Sequence, residues 1–290
     1  MNLFAGLEKF GFSGEEKLDI TKEEKTTRKR DEAQAAPKKQ VEEKDFLLDK
    51  KIKCPVCDKI VVAKQVKSGK MRLVAQDDDL RPKYASGIDP VKYDVIACPN
   101  CGHAAFLKSF EHLSATQIRL IKEGVASKFT PVEEKPVETY SYDKALERYK
   151  LALVTALSRR AKLSEKSYLC LKISWLLRSQ IETMPEGTDE EKAKKKAKVD
   201  EYNGFYRQAF DGFIKAMSSE MPPYYGIQTS TLEYMLSNMA LYFKEYDVAT
   251  KLVGNLISSA ATPARIKDKS RDLKDKILEA KKTAAEGNKQ

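Results

Sequence analysis

Apolar residues along this chain follow two rhythms. Between residues 46 and 110 they come as short β-branched runs: Ile60-Val-Val62, Met71-Arg-Leu-Val74 and Tyr93-Asp-Val-Ile96. Turn signals at Ser68-Gly69 and Gly87-Ile-Asp-Pro90 separate them, so the region reads as strands of a small antiparallel sheet. From Ser114 onward the spacing changes to three and four, the period of an amphipathic helix.

Ser114 and Gln117 form a capping-box pattern ahead of Ile118, Ile121 and Val125. A second helix begins near Ser141 and carries Leu146, Tyr149, Leu153 and Leu157. Ser164 is placed to cap a third, whose stretch from Tyr168 to Leu177 is apolar nearly all round and therefore belongs at the centre of the fold. Thr188 and Glu191 repeat the capping box, with Asp189, Glu190 and Glu191 on the positive helix end. The fourth helix then carries the clearest stripe: Tyr202, Phe205, Tyr206, Ala209, Phe210, Phe213, Ile214 and Met217. Fifth, sixth and seventh helices follow around Leu232–Phe243, Val248–Leu256 and Ile266–Ile277. The fifth and sixth, with Leu236, Ala240, Tyr246 and Ala249, look like a degenerate tetratricopeptide unit, and the sparse seventh would cap such a stack.

Composition adds limits. Of 290 residues, 41% are hydrophobic and 33% charged, enough for a real core. No stretch approaches the roughly 18 apolar residues of a membrane span. The opening Met1–Phe12 is apolar but has neither the charged start nor the small-residue cleavage site of a secretory signal, so a cytoplasmic protein with no membrane partner is expected. Residues 13–45 mix charges with almost no large apolar groups and read as a disordered linker. The segment ahead of it, Asn2 to Phe12, reads as a plug that docks on its own domain, with a docking peptide for a partner as the alternative. The net charge of +10 is spread along the chain, whereas a nucleic-acid groove needs basic residues gathered on one face.

Candidate chemistry centres on Cys54-Pro-Val-Cys57 and Cys98-Pro-Asn-Cys101-Gly102. Each Cys-x-x-Cys turn aims two thiolates at a common point, and two such pairs supply the four soft ligands of a zinc tetrahedron. Glycine after the second pair permits the left-handed backbone these turns use; Asp58 holds that place after the first and suits it less well. Cys54, Cys57, Cys98 and Cys101 are the expected metal ligands, for a structural Zn2+ that holds a domain with little core. An iron–sulfur centre or redox-active pairs are the alternatives.

Four cysteines complete that site, so His103 is read as a neighbour, with a ligand in place of a cysteine as the alternative, and His112 as structural. Cys170 reads as a small buried hydrophobe. Asp77-Asp78-Asp79 reads as a solvated strand end, the run from Lys192 to Lys198 as a solvated helix face, and the Tyr202–Met217 stripe as core. No phosphate-binding glycine loop, nucleophile elbow or paired-histidine metal motif occurs, so no catalytic residue is expected.

The chain is thus expected to be α+β in four parts. Residues 1–45 are the apolar segment and linker; 46–112 a zinc-ribbon-like antiparallel β domain; 113–284 an all-α tetratricopeptide-like domain of helical hairpins; 285–290 a flexible tail. The cysteine pairs, the run Gly87-Ile-Asp-Pro-Val-Lys-Tyr-Asp-Val95, the run Cys98-Pro-Asn-Cys-Gly-His-Ala-Ala105 and the opening Asn2-Leu-Phe-Ala-Gly-Leu7 together resemble the bacterial family called domain of unknown function 2225. The resemblance covers roughly residues 46 to 260. It implies a zinc-ribbon head, a tetratricopeptide-like tail, and metal-ligand positions at the four cysteines. It implies no activity. The function expected is that of a non-enzymatic adaptor whose helical surface binds a protein or peptide. An accessory nucleic-acid-binding protein using the ribbon and Lys192–Lys198 is the alternative, and an enzyme with an unpatterned site the second alternative.

Overall fold

The computed structural model describes residues 42–287, apart from residues 68, 132 and 134. The expected N-terminal plug, the linker up to residue 41 and the last three residues of the tail lie outside the described residues. Residues 42–45, expected to end the linker, begin the fold: Glu43–Phe46 form a 3-10 turn with a capping box between Glu42 and Asp45.

Six strands follow: β1 Leu47–Lys53, β2 Ile60–Val66, β3 Leu73–Gln76, β4 Pro82–Tyr84, β5 Val95–Ala97 and β6 Ala104–Phe106. They form three separate antiparallel pairs, β1–β2, β3–β4 and β5–β6, and not one sheet. Three strands escape a reading of pattern. The centre of β1 is Asp49-Lys50-Lys51, exposed throughout; β4 and β6 have three residues each, too short for alternation to register.

Among the described residues seven α-helices complete the chain: α1 Ala115–Ile121, α2 Tyr142–Ser158, α3 Leu163–Thr183, α4 Asp189–Ser219, α5 Thr229–Tyr242, α6 Tyr246–Ser258 and α7 Ala264–Gly287. The fold is α+β, as the pattern predicts. The capping boxes at Ser114–Gln117 and Thr188–Glu191 form, and Ser141 accepts from the Lys144 amide. Ser164 does not cap α3. The carboxylate of Glu220, at the far end of α4, accepts from the Leu163 amide at 2.5 Å and the Ser164 amide at 3.2 Å. A cap supplied by the next helix satisfies orphan amides without leaving a local signature. No helix among the described residues is long and apolar enough to cross a membrane.

Helix α3 is buried nearly all round, with Leu169, Leu171, Ile173, Leu176 and Leu177 all at 1% exposure or less. It packs between α2 and α4, and Tyr202, Tyr206, Ala209, Phe210 and Phe213 of the predicted α4 stripe lie in the same core. Burying each such side chain contributes about 1.5–3 kcal/mol. A Cβ at Gly212 would sit 2.2 Å from Ser167 Oγ, so glycine there sets how closely the two helices approach.

The core does not divide at residue 112. Val91, Val95, Ala97, Ala104 and Phe106, from β5, β6 and the turn before them, lie in the same cluster as α2 to α7. A second, smaller cluster surrounds the cysteines with Ile52, Val56, Val61, Ala63, Phe110, Ile121 and Val125. Helix α1 and the π-helical turn Lys122–Ala126 after it therefore pack on the cysteine ribbon, on the opposite side of the expected boundary.

The acidic triplet is another departure. Asp79 is 2% exposed and accepts from Trp175 Nε1 at 3.0 Å and Arg178 NH2 at 2.6 Å. Asp77 holds Arg81 at 2.6 Å and Lys83 at 2.7 Å. A buried carboxylate persists only with such partners, and these tie the β3–β4 turn to α3. Asp78 alone is a solvated strand end.

Candidate metal centre

Each cysteine pair sits in the turn of a two-stranded hairpin. Strand β1 runs into Cys54-Pro-Val-Cys57 and returns as β2; strand β5 runs into Cys98-Pro-Asn-Cys101 and returns as β6. The two turns use the same bonds. The Asp58 amide donates to the Cys54 carbonyl at 2.9 Å, and the Cys54 amide to the Lys59 carbonyl at 2.9 Å. The Gly102 amide donates to the Cys98 carbonyl at 3.0 Å, and the Cys98 amide to the His103 carbonyl at 2.8 Å. Both turns close through a left-handed residue, Asp58 at φ 60° and Gly102 at φ 72°. Asp58 takes up the conformation it was expected to suit less well, with its carboxylate 2.8 Å from Lys53 Nζ. Gly102 is required twice over, because a Cβ there would also lie 2.5 Å from the Phe129 ring.

The two turns face each other. The four sulfurs lie within 4.8 Å of one another. Cys54 and Cys101 are 3.7 Å apart, Cys57 and Cys98 3.6 Å. These distances are far longer than the roughly 2.05 Å of a disulfide, and all four cysteines are free thiols. A tetrahedral ion with bonds of about 2.3 Å to sulfur sets its ligands about 3.8 Å apart, close to what is seen. The donor set and its spacing therefore fit a metal ion.

Backbone amides of Val56 and Cys57 face the Cys54 sulfur, and those of Asn100 and Cys101 face the Cys98 sulfur, at the same offsets in both turns. Hydrogen bonds from Cys101 and then Cys54 hold the Cys98 thiol well below its ordinary value. Its hydrogen-bonded neighbours, first Cys54, push Cys101 far above. One thiolate is thus stabilised by its neighbours, and further ones repel it in a largely buried site. A cation at the centre removes that repulsion.

His103 stands beside the sulfurs without joining them. Its ring stacks on Phe110, Nε2 lies 3.1 Å from the Phe110 carbonyl, and burial lowers its basicity. Cys170 is buried in α3, where burial raises its thiol to about 11, and His112 is exposed. The lysines of the basic run are accompanied by acids: Lys192 by Asp189, Lys194 by Glu190, Lys195 by Glu186, Lys198 by Asp143. The Tyr202–Met217 stripe is mostly core, but Tyr202 and Tyr206 also reach an open cleft of about 440 Å³ shared with Asp78, Arg178, Asn238 and Tyr242. Sequence reading missed this cleft, since its residues come from four elements far apart in the chain.

A ribbon closed by four convergent thiols and continued into a helical stack defines an α+β protein with a candidate four-cysteine metal site. The chain belongs to the family described as uncharacterized protein conserved in bacteria (DUF2225), which matches residues 47–277. That span takes in the ribbon and reaches Ile277 in α7. No curated protein and no solved structure matches the chain.

Proposed function

We propose that the four thiolates hold one structural zinc ion, and that the protein is a non-enzymatic interaction or adaptor protein whose helical surface binds a protein or peptide. The spacing of the sulfurs carries the first half. It suits a single tetrahedral ion, whereas an iron–sulfur cluster sets several atoms between its thiolates and holds them farther apart. Four protein ligands leave no open position for water or substrate, which is the mark of a structural site. Thiols that must stay reduced to bind metal suit a cytoplasmic location.

For the second half, the cleft over α3, α4 and α5 offers the residue types that dominate protein interfaces. Tyr242 is 49% exposed and stands edge-on to Tyr206 at 5.3 Å. Arg178 at the cleft wall is already held by Asp79 and by the Tyr202 hydroxyl at 2.9 Å, which suits a fixed binding surface better than a catalytic group. The acids beside Lys192–Lys198 weaken the field that phosphates would need, so a protein partner is preferred to nucleic acid.

Elemental analysis of purified protein is expected to give one zinc per chain, lost in Cys98→Ser; iron in stoichiometric amount overturns the zinc reading. Affinity capture from the host with wild type and Tyr242→Ala tests the second half. An unchanged set of captured proteins removes the helical cleft as the binding surface.

A further inference from the structure

The first cysteine hairpin has an open side. Among the described residues β1 pairs with β2 and with no other strand. Hydrogen-bonded pairs alternate along an antiparallel ladder. The Lys67 amide donates to the Phe46 carbonyl at one end, and the Cys54 amide to the Lys59 carbonyl at the other. With the register that pairs Leu48 with Gln65 and Ile52 with Val61, even-numbered residues bond toward β2. The amides and carbonyls of Asp49, Lys51 and Lys53 therefore point out of the sheet.

The hairpin as a whole is basic, and β1 itself carries Lys50, Lys51 and Lys53 against Asp49. From Leu47 to Lys67 there are six lysines against two aspartates, a concentration that longer windows dilute. Lys50, Lys51 and Lys53 are exposed, and among the described residues Lys50 and Lys51 form no ion pair. Lys51 and Lys53, two residues apart, share one face of the strand. A lysine row keeps an identical edge away and attracts an acidic one. The same stretch has no aromatic residue, so it gives nucleic-acid bases nothing to stack on.

We propose that the outer edge of β1 accepts an extended acidic segment of a partner protein as an added strand. Main-chain bonds to Asp49, Lys51 and Lys53 supply the pairing, and a carboxylate of the segment meets Lys51, since Lys53 is already paired with Asp58. This surface lies on the ribbon, apart from the helical cleft proposed above, so either can fail without the other.

The probe is a labelled octapeptide of alternating glutamate and valine, titrated by fluorescence anisotropy against the full chain. Two versions carry methyl groups on every glutamate nitrogen or on every valine nitrogen, with charge unchanged. One phase is expected to lose about tenfold or more in affinity, as lost main-chain bonds would cause, and the other to keep most of it. Asp49→Pro removes one outward amide, keeps the β2 ladder and makes the edge more basic; it is expected to weaken binding about as much. Lys51→Glu is expected to weaken it about tenfold or more. Equal binding of both methylated peptides overturns the proposal, as does tighter binding of an octathymidylate. Dimerisation of the free chain that Asp49→Pro abolishes overturns it too. The methylated peptides leave the protein unaltered, so the test stands even if Asp49→Pro fails to fold.

Discussion

The two cysteine hairpins share one hydrogen-bond pattern and differ in what supports them. The β5–β6 hairpin is held from below: Phe106 meets Tyr149 edge-on at 5.9 Å and packs with Tyr168 and Tyr225 at 5.4 and 5.5 Å. The Ala104 amide donates to Thr155 in α2 at 3.2 Å. The β1–β2 hairpin has Ile52, Val61 and Ala63 in the small cluster and exposes Ile60 and Val62. One hairpin is part of the helical core; the other rests on the smaller cluster it shares with Ile96, Ala105, Phe110 and Ile121, and on Leu47 against Tyr93 and Tyr140. Two of the four cysteines thus stand on a hairpin built into the helical core, and two on a hairpin that rests on the smaller clusters.

Metal removal should expose that asymmetry most strongly. Binding worth about 10–16 kcal/mol in zinc-finger peptides is then lost unevenly. Hydrogen exchange after chelation is expected to show the amides of β1 and β2 losing protection while β5, β6 and α2 to α7 keep theirs. Uniform loss over both hairpins would mean that the core supports them equally. Phe106→Ala comes next, at about 3–5 kcal/mol, and is expected to lower the denaturant midpoint of the whole helical transition. Ile52→Ala, at about 2–5 kcal/mol, is expected to leave that midpoint in place and to speed metal release to a chelator. If both variants shift the same transition equally, the two hairpins are equally built into the core.

The turns themselves offer a finer contrast. Gly102→Ala meets both the left-handed backbone and the Phe129 ring, and is expected to cost about 2–3 kcal/mol, read as weaker metal retention. Asp58→Gly has the smallest effect, and in the opposite direction. Relief of a left-handed non-glycine residue outweighs the loss of an exposed pair with Lys53, so a competing chelator should strip the variant no faster than wild type.

Local rules carried much of this structure into the sequence. The Cys-x-x-Cys turns, the capping boxes at Ser114 and Thr188 and the α4 stripe each need only a few neighbouring residues, and each was legible. What escaped depends on residues distant in the chain. Asp79 is buried because Arg178, 99 residues away, neutralises it; a solvated end was the natural reading of three adjacent acids. Glu220 caps α3 from 57 residues away. Strand β1 has a polar centre because Leu48 to Lys51 are exposed on both faces, and a charged strand resembles a linker. The shared core was hidden for the same reason: Val95 and Phe106 look alike whether they face their own small sheet or a helix.

The separation of the ligand pairs also has a consequence in time. Cys57 and Cys98 are 41 residues apart, so at about 5–20 residues per second the first thiols leave the ribosome roughly 2–8 s before the second pair. The helices that anchor the second hairpin emerge later still. During synthesis the first hairpin is a two-thiol fragment with neither its two partner cysteines nor a core to rest on, and its thiols are open to oxidants for those seconds.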